Sequence, residues 1–224
     1  MNFNKLPLFV KKSAYSIFLM LLKIRDNSLN NKKINGLDLK VEHVKNTIVL
    51  INRTKLLENL PKNSICAEIG LNKGDFSEQI LTTCKPNKLH VIDSWASDRY
   101  DRSVESFFRN RFKNEIENNL ITIDKGISTE ILNSFDDCYF DWVYLDTSHS
   151  YETTSIELQL LSKKVKRNGI ISGHDYVTRS RTNAMKYGVI EAVHEFCNKA
   201  NYEIIFITLE WNGHNSFALK KLVS

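Results

Sequence analysis

From residue 64 onward, short apolar runs alternate with longer stretches in which apolar residues recur every three or four positions. The runs Ser64–Glu68, Leu89–Ile92, Leu120–Ile123, Phe140–Leu145 and Gly169–Ser172 have the length of buried strands. Between and after them, Phe76, Ile80, Leu81 and Cys84 recur at helical spacing, as do Val104, Phe107, Phe108 and Phe112. Thr154, Leu158, Leu161 and Val165, and then Val189, Val193, Phe196 and Ala200, repeat the pattern. Val44, Ile48 and Ile51 hint at one more helix, and Leu56, Leu57 and Leu60 continue apolar to Pro61, which stops it. Two closing runs, Glu203–Thr208 and Ser216–Leu219, flank Glu210–Asn215 and predict a hairpin. Alternation of this kind implies an α/β fold: a doubly wound, mostly parallel, seven-stranded sheet that ends in an antiparallel hairpin.

Residues 1–40 follow another pattern and read as an extension to a single domain over 41–224. Leu6, Val10, Ile17, Leu21 and Ile24 lie near one helical stripe, which predicts an amphipathic helix packing on the domain or on a partner subunit. Ala14–Leu22 is apolar, follows Lys11 and Lys12 and is closed by Lys23 and Arg25, so membrane-surface contact through the basic residues is the alternative. The segment is too short to span a bilayer and has no small-residue cleavage site. Asp26–Asn35 reads as a linker. Cys66, Cys84, Cys138 and Cys197 show no C-x-x-C spacing, which favours reduced thiols and a cytoplasmic compartment. A net charge of +5 is too small to require a nucleic-acid partner.

Ala67-Glu68-Ile69-Gly70-Leu71-Asn72-Lys73-Gly74 joins the first strand to the helix that follows. In a dinucleotide site this turn brings glycine against a pyrophosphate, but Glu68 would repel one. A carboxylate there suits a ligand with an ammonium and a sulfonium and no phosphate, which is S-adenosylmethionine. Asp93 ends the second strand nineteen residues beyond Gly74, near the offset of a ribose-binding acid. The plain alternatives are a tight structural turn for the glycines and a capping role for Asp93.

The chain resembles the class I S-adenosylmethionine-dependent methyltransferases, whose first motif is an apolar strand followed by E/D-x-G-x-x-x-G. Asp146-Thr147-Ser148-His149-Ser150-Tyr151 and Gly173-His174-Asp175-Tyr176 resemble a narrower O-methyltransferase branch with D-x-x-H-x-Y and G-H-D-Y, over roughly residues 53–224. The resemblance implies a Rossmann-like methyltransferase sheet, with Glu68, Gly70, Gly74, Asp93, Ser128 and Asp146 holding the cofactor. Gly126, Ile127 and Ser128 would flank the adenine. His149, Asp146 and His174 become the catalytic candidates, with His149 as base. Asp146, His174 and Asp175 are the candidate ligands of a divalent cation such as Mg2+. Related metal-dependent enzymes have an acid at the place of His174, so a softer metal or none is also open.

The expected activity is methyl transfer to a hydroxyl of a small molecule or sugar, without nucleic acid. The alternatives are a metal-dependent hydroxylase or hydrolase on the same scaffold and a non-catalytic binding protein. A homo-oligomer is compatible with either. Trp95 reads as core packing or a cover for the cofactor. Arg99, Arg102, Arg109, Arg111 and Lys113 read as a solvated face or an acidic-substrate patch, and Val177–Lys186 as an acceptor-covering loop.

Overall fold

A computed structural model describes residues 8–29, 36–96, 102–179 and 186–222. At its centre is β2 (Ile65–Ile69), between β3 (Lys88–Asp93) and β5 (Phe140–Leu145). Every residue of β2 after Ile65 is buried, which is why it reads as an unbroken apolar run and not as an alternating one. β4 (Ile121–Lys125) lies outside β3 and β6 (Val165–Gly173) outside β5, all parallel. β8 (Phe217–Lys221) runs antiparallel between β6 and β7 (Tyr202–Thr208), the predicted hairpin.

The sheet has eight strands, not seven: β1 (Ile48–Leu50) pairs in parallel with β7. Its residues had suggested a helix, because Val44, Ile48 and Ile51 happen to fall at helical spacing. The three side chains are exposed, so no buried face supports a helix there. Instead the Thr47 hydroxyl donates to the Ile204 carbonyl and the Leu209 N–H donates to that of Leu50, clipping β1 to the sheet edge. Leu56 and Leu57 are buried by α2 (Arg53–Glu58), whose N-terminus is capped by the Asn52 side chain.

Helices α3 (Asp75–Cys84), α4 (Arg102–Arg111) and α5 (Lys113–Glu117) cover one face with α2. Helices α6 (Ser128–Ser134), α7 (Tyr151–Lys164) and α8 (Val189–Ala200) cover the other. α6 had no counterpart among the predicted elements, and Val165 opens β6 instead of closing α7. Strand alternation divides the core: Ala67, Ile69, Val143 and Leu145 face α6–α8, whereas Cys66, Trp142 and Tyr144 face α2–α5. Cys66, Cys84 and Cys197 are buried, Cys138 is exposed, and all four are free thiols.

α1 (Leu8–Leu29) extends three residues past the point where the linker was expected to begin, and residues 30–35 lie outside the described residues. Tyr15, Ile17, Phe18, Leu19, Met20 and Leu21 are all exposed. Five consecutive apolar residues turn through more than a full circle of helix, so the apolar surface is not confined to the predicted stripe. Leu6 of that stripe lies outside the described residues.

Strand order reverses between β2 and β5, and the carboxyl ends of the two strands nearly touch. Gly70 has φ of +81°, and a Cβ on it would sit 2.2 Å from the Asp146 carbonyl oxygen. The space that glycine frees is thus filled by the neighbouring chain, the tight-turn role weighed for it above. Gly74, at φ +88°, similarly faces the rings of Phe112 and Phe108. Gly70→Ala therefore combines left-handed strain with a backbone clash and is expected to cost about 3 kcal/mol or more, read as a lowered urea midpoint.

Candidate functional site

Beyond the strand ends at the reversal point opens a cavity of about 700 Å³. Its lining includes Glu68, Gly70 and Gly74 from β2 and its turn, Asp93 from β3, and Gly126, Ile127 and Ser128 after β4. Asp146, Thr147, Ser148 and His149 after β5 complete that side, with Arg53 and Tyr187. The proposed cofactor residues thus line one cavity. His174 and Asp175 lie immediately behind Asp146 and His149.

Glu68 points toward α3 and accepts a hydrogen bond from the Ser77 hydroxyl. Burial pushes its carboxyl up to about 8; the Ser77 hydroxyl and Arg53 oppose the rise, and Asp146 and Asp93 add to it. Asp93 accepts from the Leu71 N–H at 2.9 Å and the Trp95 N–H at 2.7 Å. It therefore ties together the turns after β2 and β3, the capping role weighed above, while still lining the cavity. Trp95 is buried against Phe108 and belongs to the core.

Around His149 the groups are dense. Its Nε2 lies 3.2 Å from Asp175 Oδ2 and 3.8 Å from Asp146 Oδ1, and its ring packs on Tyr187 at 4.7 Å. His174 Nδ1 is 3.6 Å from both Asp146 and Asp175. Burial works against the His174 cation, but the two carboxylates outweigh it and raise its pKa. Burial would likewise raise Asp146, but His174, His149 and Arg53 hold it low. His149 and Asp175 both adopt left-handed backbone, at φ +59° and +56°, a strained state that clusters at functional sites.

Asp146, His149 and Asp175 each offer an atom within 4.8 Å of the others, a group able to hold a metal ion. His149 thus completes this group with the two carboxylates, where the sequence had suggested His174. The geometry also adds residues that the motifs did not reveal. His214, in the β7–β8 connection, hydrogen-bonds Asp175 through Nδ1 and stacks on His174. Only the return of that hairpin beside β6 could have signalled it. Glu157, fully buried on α7, accepts from Ser128 and Thr147. A carboxylate beside the apolar stripe Thr154–Leu158–Leu161 was its one trace.

Three members of the basic cluster are paired within the fold. Arg111 pairs with Asp75 and Glu78, Arg109 with Glu105, and Lys113 with Glu117. Arg99, the side chain of Arg102 and residues 180–185 of the expected covering loop lie outside the described residues.

The cavity suits the cofactor implied above. Four acidic side chains line it, on Glu68, Asp75, Asp93 and Asp146, against the two cations of Arg53 and Lys73; with Glu68 held toward its neutral form, the other three carry the negative excess. That balance favours a cationic ligand and disfavours a pyrophosphate. The volume lies within the ordinary range for a bound small molecule, about 300–1,000 Å³.

A family model described as "Methyltransferase domain" matches residues 67–176. Among curated proteins, none matches by sequence at a significant level. Solved structures are similar in fold. The pyocyanin biosynthetic protein PhzM superposes with a TM-score of 0.55 at 10% identity, over 75% of this chain and 54% of that one. The present chain thus spans about half of PhzM. The precorrin-6y methyltransferase from Geobacter metallireducens gives 0.55 at 15% identity, over 76% and 86% of the two chains. The tRNA methyltransferase TrmK of B. subtilis gives 0.55 at 12%, over 77% and 67%.

A raised carboxyl is a stability statement with a definite sign. Glu68 has an ordinary value of 4.5 and a folded value of about 8, so its contribution is intact below about pH 4.5 and is lost as pH rises through 8. Glu68→Gln, neutral at all pH, should melt near wild type at pH 4.5. At pH 8.5 the ligand-free variant should be the more stable by on the order of 4 kcal/mol, measured by calorimetry. The match over residues 67–176 covers just under half of the chain, and the sheet order and the acid-lined cavity at its reversal point agree with a methyltransferase fold and with S-adenosylmethionine as its cofactor.

Proposed function

We propose that the protein transfers a methyl group to a hydroxyl of a small molecule or sugar, with His149 as the base. The observation that carries this reading is the imidazole on the cavity wall with a carboxylate behind it. Asp175 faces Nε2 and favours the tautomer protonated there, which leaves Nδ1 as the acceptor for a proton. His214 donates to the other Asp175 oxygen, and Tyr187 packs on the His149 ring, so the base is held from both sides. Glu68, Gly70, Asp93, Ser128 and Asp146 would hold the cofactor, whose sulfonium supplies an electrophilic methyl. The chain's own part is to align the acceptor oxygen, take its proton at His149 and stabilise the imidazolium through Asp175 and Asp146. Pairing of Arg109, Arg111 and Lys113 with acids supports a small acceptor over nucleic acid.

A divalent cation is the second reading, favoured by the Asp146, His149 and Asp175 group. Two carboxylates and an imidazole suit Mn2+, Fe2+ or Zn2+ better than Mg2+. Held there, the ion would lower the pKa of a bound hydroxyl, or of water in a hydrolase. His149→Ala separates the two. With His149 as base, turnover falls about 10²–10⁴-fold while cofactor affinity stays within about twofold, and chelator leaves the wild type active. Chelator-sensitive wild-type activity, with metal content lost in the variant, would favour the cation instead.

α1 is read as an anchor to an anionic membrane surface. Its exposed apolar residues turn right round the helix, and Lys11, Lys12, Lys23 and Arg25 outnumber the one acid, Asp26. The protein should co-sediment with phosphatidylglycerol-containing vesicles and not with pure phosphatidylcholine. Phe18→Asp combined with Leu21→Asp should abolish this. Concentration-dependent dimerisation without vesicle binding would make α1 an oligomer contact.

A further inference from the structure

Ser128 and Thr147 come from different loops, yet both line the cavity and both donate to one side chain. The Ser128 hydroxyl donates to Glu157 Oε1 at 2.5 Å, and the Thr147 hydroxyl to Oε2 at 2.9 Å. Glu157 has no exposed surface and lies behind these hydroxyls, outside the cavity lining. A hydroxyl has one proton, and an ionised carboxylate can only accept. With both protons committed to Glu157, the two oxygens have lone pairs and no hydrogen for whatever lies in the cavity.

We infer that Glu157 is a positioning residue that fixes the hydrogen-bond polarity of this wall, making it an acceptor surface that selects a 6-amino purine over a 6-oxo purine. The inference rests on the cofactor reading, in which the loop carrying Ser128 flanks the base. An adenine amino group is a double donor and finds acceptors here. The carbonyl of hypoxanthine would meet lone pairs with lone pairs, and a site with such directed polar groups discriminates strongly.

The carboxyl is poised to do this under mildly basic conditions. Burial lifts it to about 7, while the two hydroxyl bonds oppose the rise, so it is predominantly ionised at pH 8. A neutral amide at the same position carries donors of its own. It would donate to one of the hydroxyls and release that hydroxyl's proton toward the cavity, giving a mixed surface.

The test is calorimetric titration at pH 8 with S-adenosylhomocysteine and with S-inosylhomocysteine, in which a 6-oxo group and an N1–H replace the 6-amino group and the bare N1. Wild type should bind the adenosyl compound at least about tenfold more tightly. Glu157→Gln should bring the two affinities to within about threefold. Since Glu157→Gln disturbs a buried group, Ser128→Ala combined with Thr147→Val serves as an independent variant that removes the acceptors and leaves Glu157 in place. It too should lose the preference. A preference unchanged in the folded variants overturns the role of Glu157. Failure of wild type to bind either compound overturns the cofactor reading itself, a different result.

Discussion

Everything at the site depends on a row of backbone hydrogen bonds that continues the sheet one residue beyond its strands. Gly126 N–H donates to the Asp93 carbonyl, Gly70 to Ile92, Asp146 to Ile69 and His174 to Leu145, all at 2.8–3.0 Å. These four bonds join five strand ends in succession and fix them side by side. Such bonds are insensitive to side-chain identity, so the row can position an acid, a glycine and an imidazole with equal accuracy. Glycine at position 70 is the one sequence requirement, since only its missing Cβ lets the β5 end come so close.

On this frame the site concentrates like charge. Glu68, Asp93, Asp146 and Asp175 gather within a small volume, relieved by Arg53 and by three histidines. The molecule handles the repulsion differently from place to place. Glu68, wholly buried and only partly offset by Arg53 and the Ser77 hydroxyl, is held toward its neutral form, whereas Asp146 keeps its charge beside His174. The charge of His174 and His149 thus keeps Asp146 ionised against the effect of its burial.

Much of this was legible in the residues, and the reasons are physical. β2, β3, β5 and the hairpin are long apolar runs whose burial leaves no alternative, and a helix of buried stripe such as α8 repeats too regularly to be misread. The glycine turn and Asp93 stood out because few residue types tolerate those places. β1 was misread because three exposed apolar residues carry no face, and pairing with the distant β7 cannot be inferred from local spacing. His214 and Glu157 escaped for a similar reason: His214 acts on Asp175 and Glu157 on Ser128 across separate elements, and local spacing does not mark either partnership. α1 was foreseen as a helix, but the extent of its apolar surface emerged only from exposure.

The left-handed backbone at His149 and Asp175 has a consequence for durability. Each non-glycine residue in that conformation costs on the order of 1 kcal/mol or more. Glycine would relieve the strain at either place, but would remove the imidazole from the wall or the carboxylate behind it. On the proposed reading of His149 as the base, laboratory selection for heat tolerance alone would therefore drift toward glycine at 149 and 175 and yield a robust, idle protein. Robustness and turnover are opposed at two adjoining backbone positions, and a thermostable working variant has to find its gains elsewhere in the fold.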